Sequence, residues 1–440
     1  MSTSGSPDPP FGVLVFPGGT EIGLELRRSL GDLKEIELAG AGAPEDQHGP
    51  FAYRRWANLP PVDSEDWIDA LNQVIEELGI DFVFPAHDDV LLALAESAEQ
   101  LCARVVTSPV RTCRITRSKR ATYELLAGAI PVPRVFEDPH QITDFPVFAK
   151  PDRSQGSRGA MEVHGPRDLE HALGAGSDLV MELLPGEELT VDCFSDRDHG
   201  VLFARPRPRL RTRAGISMAT RTSTDTDTDT DTDMARAHAR AIATRLELHG
   251  AWFFQLKGDA DGLPRLLEVA PRIAGTSALH RVTGVNFALL SLYEQIRAPL
   301  RLLTNPIEVE LDRALVNRYR HDLRYSAVYV DLDDTLIVRG RVNARLVALL
   351  YQCMSDGHRL VLLTRHRSDV AETLERFRLS QLWDEVIHVS DEARPKSDFI
   401  REPDAILIDD SFRERRASAD RLGIATFDSS MIELLEDHRL

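Results

Sequence analysis

The chain of 440 residues is poor in lysine. Lys34, Lys119, Lys150, Lys257 and Lys396 are the only five among 52 basic residues, the other 47 being arginine. A genome biased toward Arg codons accounts for that ratio, and under such a bias each retained lysine raises the question whether its chemistry needs a compact ammonium. Cysteine is sparse too: Cys102, Cys113, Cys193 and Cys353 form no C-x-x-C pair and no His/Cys cluster at metal-ligand spacing. That excludes a disulfide framework or zinc ribbon and suits a reducing cytoplasm. No apolar run approaches the length of a membrane span, and the Pro-rich start MSTSGSPDPP lacks the charged-then-apolar layout of a signal peptide. Net positive charge is missing as well: 52 basic against 70 acidic residues gives −18. A broad basic face for nucleic acid or an anionic membrane is therefore not expected. These absences predict a cytoplasmic protein acting on small molecules, with no nucleic-acid or membrane partner and with homo-oligomerisation left open.

With 42% apolar and 28% charged residues, the composition is globular, and the length implies about three domains at roughly 150 residues each. The pattern is α/β throughout. Phe11 to Phe16 reads as a buried strand, Pro17 to Gly23 as a Gly-rich turn and Leu24 to Leu30 as a helix, which opens a doubly wound domain over residues 1–110. Gly18-Gly19-x-x-x-Gly23 is not a dinucleotide fingerprint, so a tight structural turn is expected there. His87-Asp88-Asp89 follows the strand FVFP, where Asp88 either caps a helix or contacts substrate. Residues 111–315 read as an α+β domain, with a helix from Ser118, a helix over Met234 to Leu246 and paired strands at Trp252 to Lys257 and Arg265 to Val269. The Thr-Asp repeat from Thr224 to Asp233 has nothing apolar to bury and reads as a flexible loop. Residues 325–440 alternate strands and helices as a compact parallel-sheet domain.

The C-terminal domain carries the densest chemistry. Asp331-Leu332-Asp333-Asp334-Thr335 ends the strand AVYVDL, Thr364 ends RLVLLT, and Asp409-Asp410 ends AILIDD. A strand-end carboxylate can attack phosphorus while a second, two residues on, handles the leaving oxygen and then water. A threonine can hold a phosphoryl oxygen, Lys396 supplies charge, and the acids suit Mg²⁺. This set resembles the haloacid-dehalogenase superfamily of phosphohydrolases. The resemblance implies Asp331 as nucleophile, Asp333 as general acid/base, Thr364 and Lys396 as phosphate-orienting groups, and Asp331, Asp333, Asp409 and Asp410 as the Mg²⁺ set. The short spacings between Asp333, Thr364 and Lys396 leave no room for a lid domain, so a capless form is expected.

In the central domain, Lys150 ends the strand PVFAK and precedes a loop containing Gly156 and Gly159, which can fold its N–H groups over phosphates. Glu182-Leu183-Leu184-Pro185-Gly186-Glu187-Glu188 follows an apolar strand. Gln255, Glu268 and Arg272 lie on or beside two neighbouring strands. This order resembles the ATP-grasp enzymes, with the first domain as their doubly wound pre-ATP-grasp domain and the second as the ATP-grasp domain. The subset in view contains the carboxylate–amine ligases and the carbamoyl-phosphate synthase large subunit. The resemblance implies that Lys119 and Lys150 contact phosphates with the Gly156 loop, Glu182 and Leu184 frame adenine, and Glu188 meets the ribose. It further implies Gln255 and Glu268 as ligands of Mg²⁺, or of Mn²⁺ in its place, and Arg272 as the group stabilising the transferring phosphoryl. One position departs from the family's Glu-x-Asn-Pro-Arg: Ala270 stands where the Asn ligand would be.

Arg205, Arg207, Arg209, Arg211 and Arg213 alternate with other residues, so one extended strand would set all five on a single face. Such a face could bind a substrate carboxylate or phosphoryl oxygens, or be a solvated edge strand kept from aggregating by charge; function is expected only of Arg211 and Arg213, nearest the Ala214-Gly215 turn, and the Thr-Asp repeat could fold back on the run as an acidic decoy. The combined expectation is an ATP-dependent ligase joining a carboxylate to an amine through an acyl phosphate, fused to a Mg²⁺-dependent phosphatase. Bicarbonate phosphorylation of the carbamoyl-phosphate type is disfavoured, because it uses two such units. A nucleotide-sensing module that regulates the phosphatase is the alternative from outside ligase chemistry.

Overall fold

The computed structural model describes residues 9–45, 48–154, 156, 158–198, 200–222, 229–391 and 393–439. The chain forms two compact units, one ending at Leu315 and the other beginning at Val316.

The first unit opens with a five-stranded parallel sheet. Its strands are β1 (Phe11–Phe16), β2 (Ile36–Gly42), β3 (Arg55–Asn58), β4 (Phe82–Pro85) and β5 (Arg104–Val105), ordered β3-β2-β1-β4-β5. β1 is buried at every residue because both faces are covered. Val13 and Val15 join one core with Ile22 and Leu26 of the helix Glu21–Leu30, while Leu14 and Phe16 join another with Leu71 and Ile75. The turn after β1 is tightly packed: a Cβ on Gly23 would lie 2.5 Å from the carbonyl oxygen of Gly18. The cap of the helix Asp88–Glu96 is His87 rather than Asp88, its Nδ1 accepting from Asp89 N at 3.2 Å.

A small antiparallel sheet follows, built from β6 (Val147–Lys150), β7 (Met161–Val163) and β8 (Leu179–Glu182) in the order β7-β6-β8. The larger antiparallel sheet is ordered β10-β9-β13-β14, from β9 (Glu188–Asp196), β10 (Gly200–Pro208), β13 (Gly250–Gly258) and β14 (Pro264–Ala270). Between its members in sequence come β11 (Arg211–Arg213) and β12 (Ile216–Arg221), which pair with β15 (Glu310–Asp312) in a sheet of their own. Alternation divides the faces of the large sheet. Val191, Cys193, Trp252, Phe254 and Val269 pack on Ala235, Ala239 and Ile242 of the helix Asp229–Ala243, so Thr190, Asp192, Phe253, Gln255 and Glu268 belong to the opposite face.

That helix corrects the reading of the Thr-Asp repeat. Residues 223–228 lie outside the described residues, but from Asp229 the backbone is helical and not a loop. The buried Ala235 and Ala239 further on hold the segment to the sheet.

The second unit contains another parallel sheet, from β16 (Ala327–Val330), β19 (Arg359–Thr364), β20 (Glu385–His388), β21 (Ile406–Ile408) and β22 (Ala425–Phe427), ordered β20-β19-β16-β21-β22. β17 (Ile337–Val338) and β18 (Arg341–Val342) make a short hairpin after β16. Val328 and Val330 face one core, Ala327 and Tyr329 the other. Between Asp333 and Lys396 the described residues hold only this hairpin, two helices, a short helical turn and strands of the sheet.

Candidate functional site

A cavity of about 220 Å³ opens between the small and large antiparallel sheets. Phe148, Lys150, Met181 and Leu184 line it from one side, and Glu188, Gln255, Lys257 and Glu268 from the other. Gln255 and Glu268 are register partners, and the register slips just beyond them, between Gln255 and Leu256. Lys119 enters from the first turn of the helix Lys119–Leu126, capped by Ser118 Oγ accepting from Ala121 N at 3.1 Å. Its Nζ donates to the carbonyls of Asp152 (3.2 Å) and Ser154 (3.0 Å), which ties it to the loop after β6. Lys150 Nζ meets the Tyr123 hydroxyl at 3.1 Å, and that hydroxyl donates to Leu267 O at 2.7 Å. Both lysines are buried. Burial, aided by the charge of Lys119, pushes the Lys150 ammonium down to about 7, and burial also lowers Lys119. Two desolvated amines of this kind hold their charge better beside an anion, which suits them to phosphate oxygens. Gly156, at φ +65°, lines the same cavity.

A second cavity of about 80 Å³ shares Gly156, Arg209, Gln255 and Glu268 with the first and adds Arg207, Arg272, Arg313 and Glu21. Arg272 is buried; its Nη2 donates to Asp88 Oδ2 at 2.9 Å, its Nε bonds the other carboxylate oxygen, and its guanidinium lies 5.2 Å over the Phe253 ring. Burial pushes the Asp88 carboxyl up, and Arg272 more than reverses this, so Asp88 titrates below the ordinary range. Ala270, at the position of the missing Asn, packs with Phe253 and Ala274 in a small apolar cluster.

Lys119, Lys150, Gly156, Leu184, Glu188, Gln255 and Glu268 thus converge on one cavity, and Arg272 lies on its neighbour. Three of the expected site residues are not among those lining either cavity. Glu182 is outside the cavity lining, because its carboxylate accepts from Arg134 N at 2.9 Å and its own N–H donates to Arg134 O. Arg211 and Arg213 are exposed and line neither cavity, and Arg211 pairs with Asp312 at 2.5 Å. The arginine run is not one strand: β10 stops at Pro208, β11 joins another sheet, and in β11 it is Thr212, between the two arginines, that faces the cavity. The cavity arginines are Arg207 and Arg209, earlier in the same run. Arg313 and Glu21 carried no local sequence signal.

In the second unit, β19, β16 and β21 are neighbours, so Thr364, Asp331 and Asp409 stand at adjacent strand ends. Asp331, Asp409 and Asp410 bring ligand oxygens within 4.8 Å of one another. Lys396 Nζ lies 2.6 Å from both Asp331 and Asp409. Burial pushes the Asp331 carboxyl up to about 6 against the pull of Lys396, and Asp409 shifts the same way for the same reason. Three oxygen donors, two of them buried and Asp410 exposed, fit a hard dication such as Mg²⁺. Thr364 is fully buried, its hydroxyl accepting from His366 N at 3.1 Å. Asp333 is more exposed and meets His366 Nδ1 at 2.9 Å; His366 Nε2 in turn meets Thr373 Oγ1 at 2.9 Å. Glu414 accepts from Lys396 N at 2.9 Å, and Thr335 Oγ1 accepts from Asp410 N at 2.9 Å. His366, Glu414 and Thr335 went unread in the sequence, although His366 is only two residues past Thr364.

Two antiparallel sheets closing on a cavity between them, beside a parallel-sheet domain, form the ATP-grasp fold, and this chain carries an ATP-grasp domain. Residues 177–309 match the family described as ATP-grasp in the biosynthetic pathway with Ter operon. Among solved structures, Campylobacter jejuni biotin carboxylase in complex with β,γ-ATP aligns at a TM-score of 0.56 and 14% identity, over 66% of this chain and 72% of that one. Staphylococcus aureus N5-carboxyaminoimidazole synthetase complexed with ADP gives 0.56 and 14%, over 68% and 80%. Rhizobium etli pyruvate carboxylase gives 0.56 and 20%, over 67% of this chain, which spans 29% of that much longer protein. No curated protein sequence matches the chain. Among the described residues, no helix is long and apolar enough to cross a membrane.

Proposed function

We propose that the first unit is an ATP-dependent carboxylate–amine ligase and the second a Mg²⁺-dependent phosphohydrolase. The observation that carries the ligase reading is that a cavity with two buried lysines shares its Gln255–Glu268 edge with a second cavity lined by arginines. Phe148, Met181 and Leu184 offer apolar walls to a base, Glu188 a carboxylate to a ribose, and Lys119 and Lys150 neutralise phosphate. Gln255 and Glu268 would hold Mg²⁺ or Mn²⁺, which screens phosphate charge when bound; with Ala270 supplying no donor, one protein carboxylate serves it. A carboxylate oxygen of the substrate attacks the γ-phosphorus, the bond to the bridging oxygen breaks, and ADP leaves. An amine then attacks the acyl phosphate carbon, loses a proton and expels inorganic phosphate. Positioning and charge neutralisation do most of this work. Incubation with ATP, an acid and an amine is expected to release ADP only when the acid is present; steady ADP release without any acid would sink the ligase reading.

The phosphohydrolase reading rests on the adjacent strand ends. Asp331 attacks phosphorus and forms an aspartyl phosphate, while Asp333 protonates the departing oxygen and afterwards takes a proton from the water that hydrolyses it. Thr364 and Lys396 hold the phosphoryl oxygens. Mg²⁺ held by Asp331, Asp409 and Asp410 would neutralise phosphate charge there. The exposure of Asp333, with only small elements inserted nearby, suits an uncapped site.

A further inference from the structure

The large sheet carries a row of side chains that the nucleotide assignments use only in part. Arg207, Thr190, Gln255 and Glu268 are successive register partners across β10, β9, β13 and β14, and all four line the second cavity. At about 4.8 Å per strand the backbone of this row spans roughly 14 Å. Phosphoryl transfer is proposed at its Glu268 end. Arg207 occupies the other.

Arg207 is 1% exposed. Asp192 holds one edge of its guanidinium, Nε at 2.5 Å and Nη2 at 3.4 Å, and the His280 ring meets the same carboxylate at 3.0 Å. Asp192 is buried as well and sits on the same strand face. The third nitrogen, Nη1, is buried without a hydrogen-bond partner. Buried donors are nearly always satisfied, so a fixed guanidinium that lines a cavity and keeps one nitrogen unpaired is suited to receive an acceptor. Arg313 lines the same cavity, and its contact with Ser217 O is a long 3.5 Å.

From these observations, and resting on the ligase reading for the chemistry at Glu268, we infer that the second cavity takes a carboxylic acid bearing a second anionic group. The reacting carboxylate lies at the Glu268–Arg272 end, and the second group, carboxylate or phosphoryl, accepts from Arg207 Nη1 beside Arg313. A single small carboxylate cannot serve both ends of the row. Asp192 and His280 are positioning residues that fix which edge of Arg207 remains open. Because Asp192 already balances the charge of Arg207, selectivity comes from the directed hydrogen bond and from Arg313 more than from net charge.

The test uses the full chain with Mg²⁺ and a non-hydrolysable ATP analogue, titrated with succinate, glutarate, 3-phosphonopropionate and the monoanion butyrate while thermal unfolding is followed. The dianions are expected to raise the Tm at concentrations where butyrate does not. Arg207→Lys keeps a cation against Asp192 but loses the open Nη1, and should weaken dianion binding about tenfold or more. The stronger of the carboxylate and phosphonate responses identifies the second group. Dianions that act no better than butyrate, or an Arg207→Lys protein that binds them like the wild type, would overturn the inference. If that variant does not fold, Arg313→Gln is read in the same way. ADP release with hydroxylamine as trap separates the two readings. Dianion binding through Arg207 with no acid-dependent ADP leaves the anion site standing and removes the ligase, whereas equal ADP release with butyrate and glutarate keeps the ligase and removes the inference.

Discussion

At the scale of single residues, the scarce lysines fall where an ammonium is useful. Lys119, Lys150 and Lys257 line one cavity, Lys396 bridges Asp331 and Asp409, and only Lys34 is a surface residue, 3.9 Å from Glu35. Arginine could not stand in at Lys150, where a single buried nitrogen meets the Tyr123 hydroxyl. Because burial and Lys119 bring Lys150 to about 7, its ammonium is populated below that pH and lost above it. ATP affinity is therefore expected to fall as pH rises through about 7, and binding near pH 8 should take up a proton, read by calorimetry in buffers of different ionisation enthalpy. The same shift has a stability sign: between about 7 and the ordinary value of 10.5 the unfolded chain holds the proton and the folded one does not, so this group makes folding more favourable as pH rises. Lys150→Met should weaken ATP binding by on the order of tenfold to a hundredfold and abolish the proton uptake. In the second unit, Asp331→Asn should lower Mg²⁺-dependent hydrolysis of p-nitrophenyl phosphate by about a thousandfold or more. Residual activity near the wild-type level would exclude Asp331 as the nucleophile.

At the scale of elements, function depends on how strand ends and helix starts present these groups. Ser118 caps the helix that begins with Lys119, so Ser118→Ala should cost about 1 kcal/mol of stability by denaturant melt and weaken ATP binding, because the cap also fixes the first turn. Gly156 sits at φ +65° in the loop after β6, where a side chain is strained by roughly 1–2 kcal/mol; Gly156→Ala should raise the KM for ATP and lower the Tm by a few degrees. Elements were legible where periodicity was strong. β1, β13, β14 and the strand ends at Asp331, Thr364 and Asp409 follow from apolar runs closed by polar residues, and seven of the nucleotide-site residues named from the sequence meet at one cavity. What failed to show was pairing. Nothing local in the arginine run reveals that β10 stops at Pro208 and that β11 belongs to another sheet, so the arginines that line the cavity, Arg207 and Arg209, stand four residues before the expected pair. The Glu182 side chain is likewise spent on Arg134, a partner distant in sequence. The Thr-Asp repeat misled in another way: its own composition favours no element, and the helix it joins is decided by the alanines that follow.

At the scale of the whole molecule, each unit has cores of its own. The clusters around β1, the large sheet and the small sheet are built from residues before Leu315, and the two clusters around β16 from residues after Val316. Residues 313–325 have no regular secondary structure, and Leu315 is 90% exposed. A segment of that kind, bearing exposed Arg320 and Arg324, is where a protease should act first, since cleavage needs chain that can adapt to the enzyme while a packed core resists such opening. Brief trypsin treatment is expected to yield two resistant fragments whose new ends map to Arg320 or Arg324. If the two chemistries are self-contained, the larger fragment should keep ATP binding and the smaller should keep Mg²⁺-dependent phosphatase activity, each within about twofold of the intact chain, because every residue assigned to one chemistry lies in one unit. An early cut inside either sheet, or loss of phosphatase activity on nicking while the small fragment stays folded by circular dichroism, would show that the C-terminal site depends on the rest of the chain.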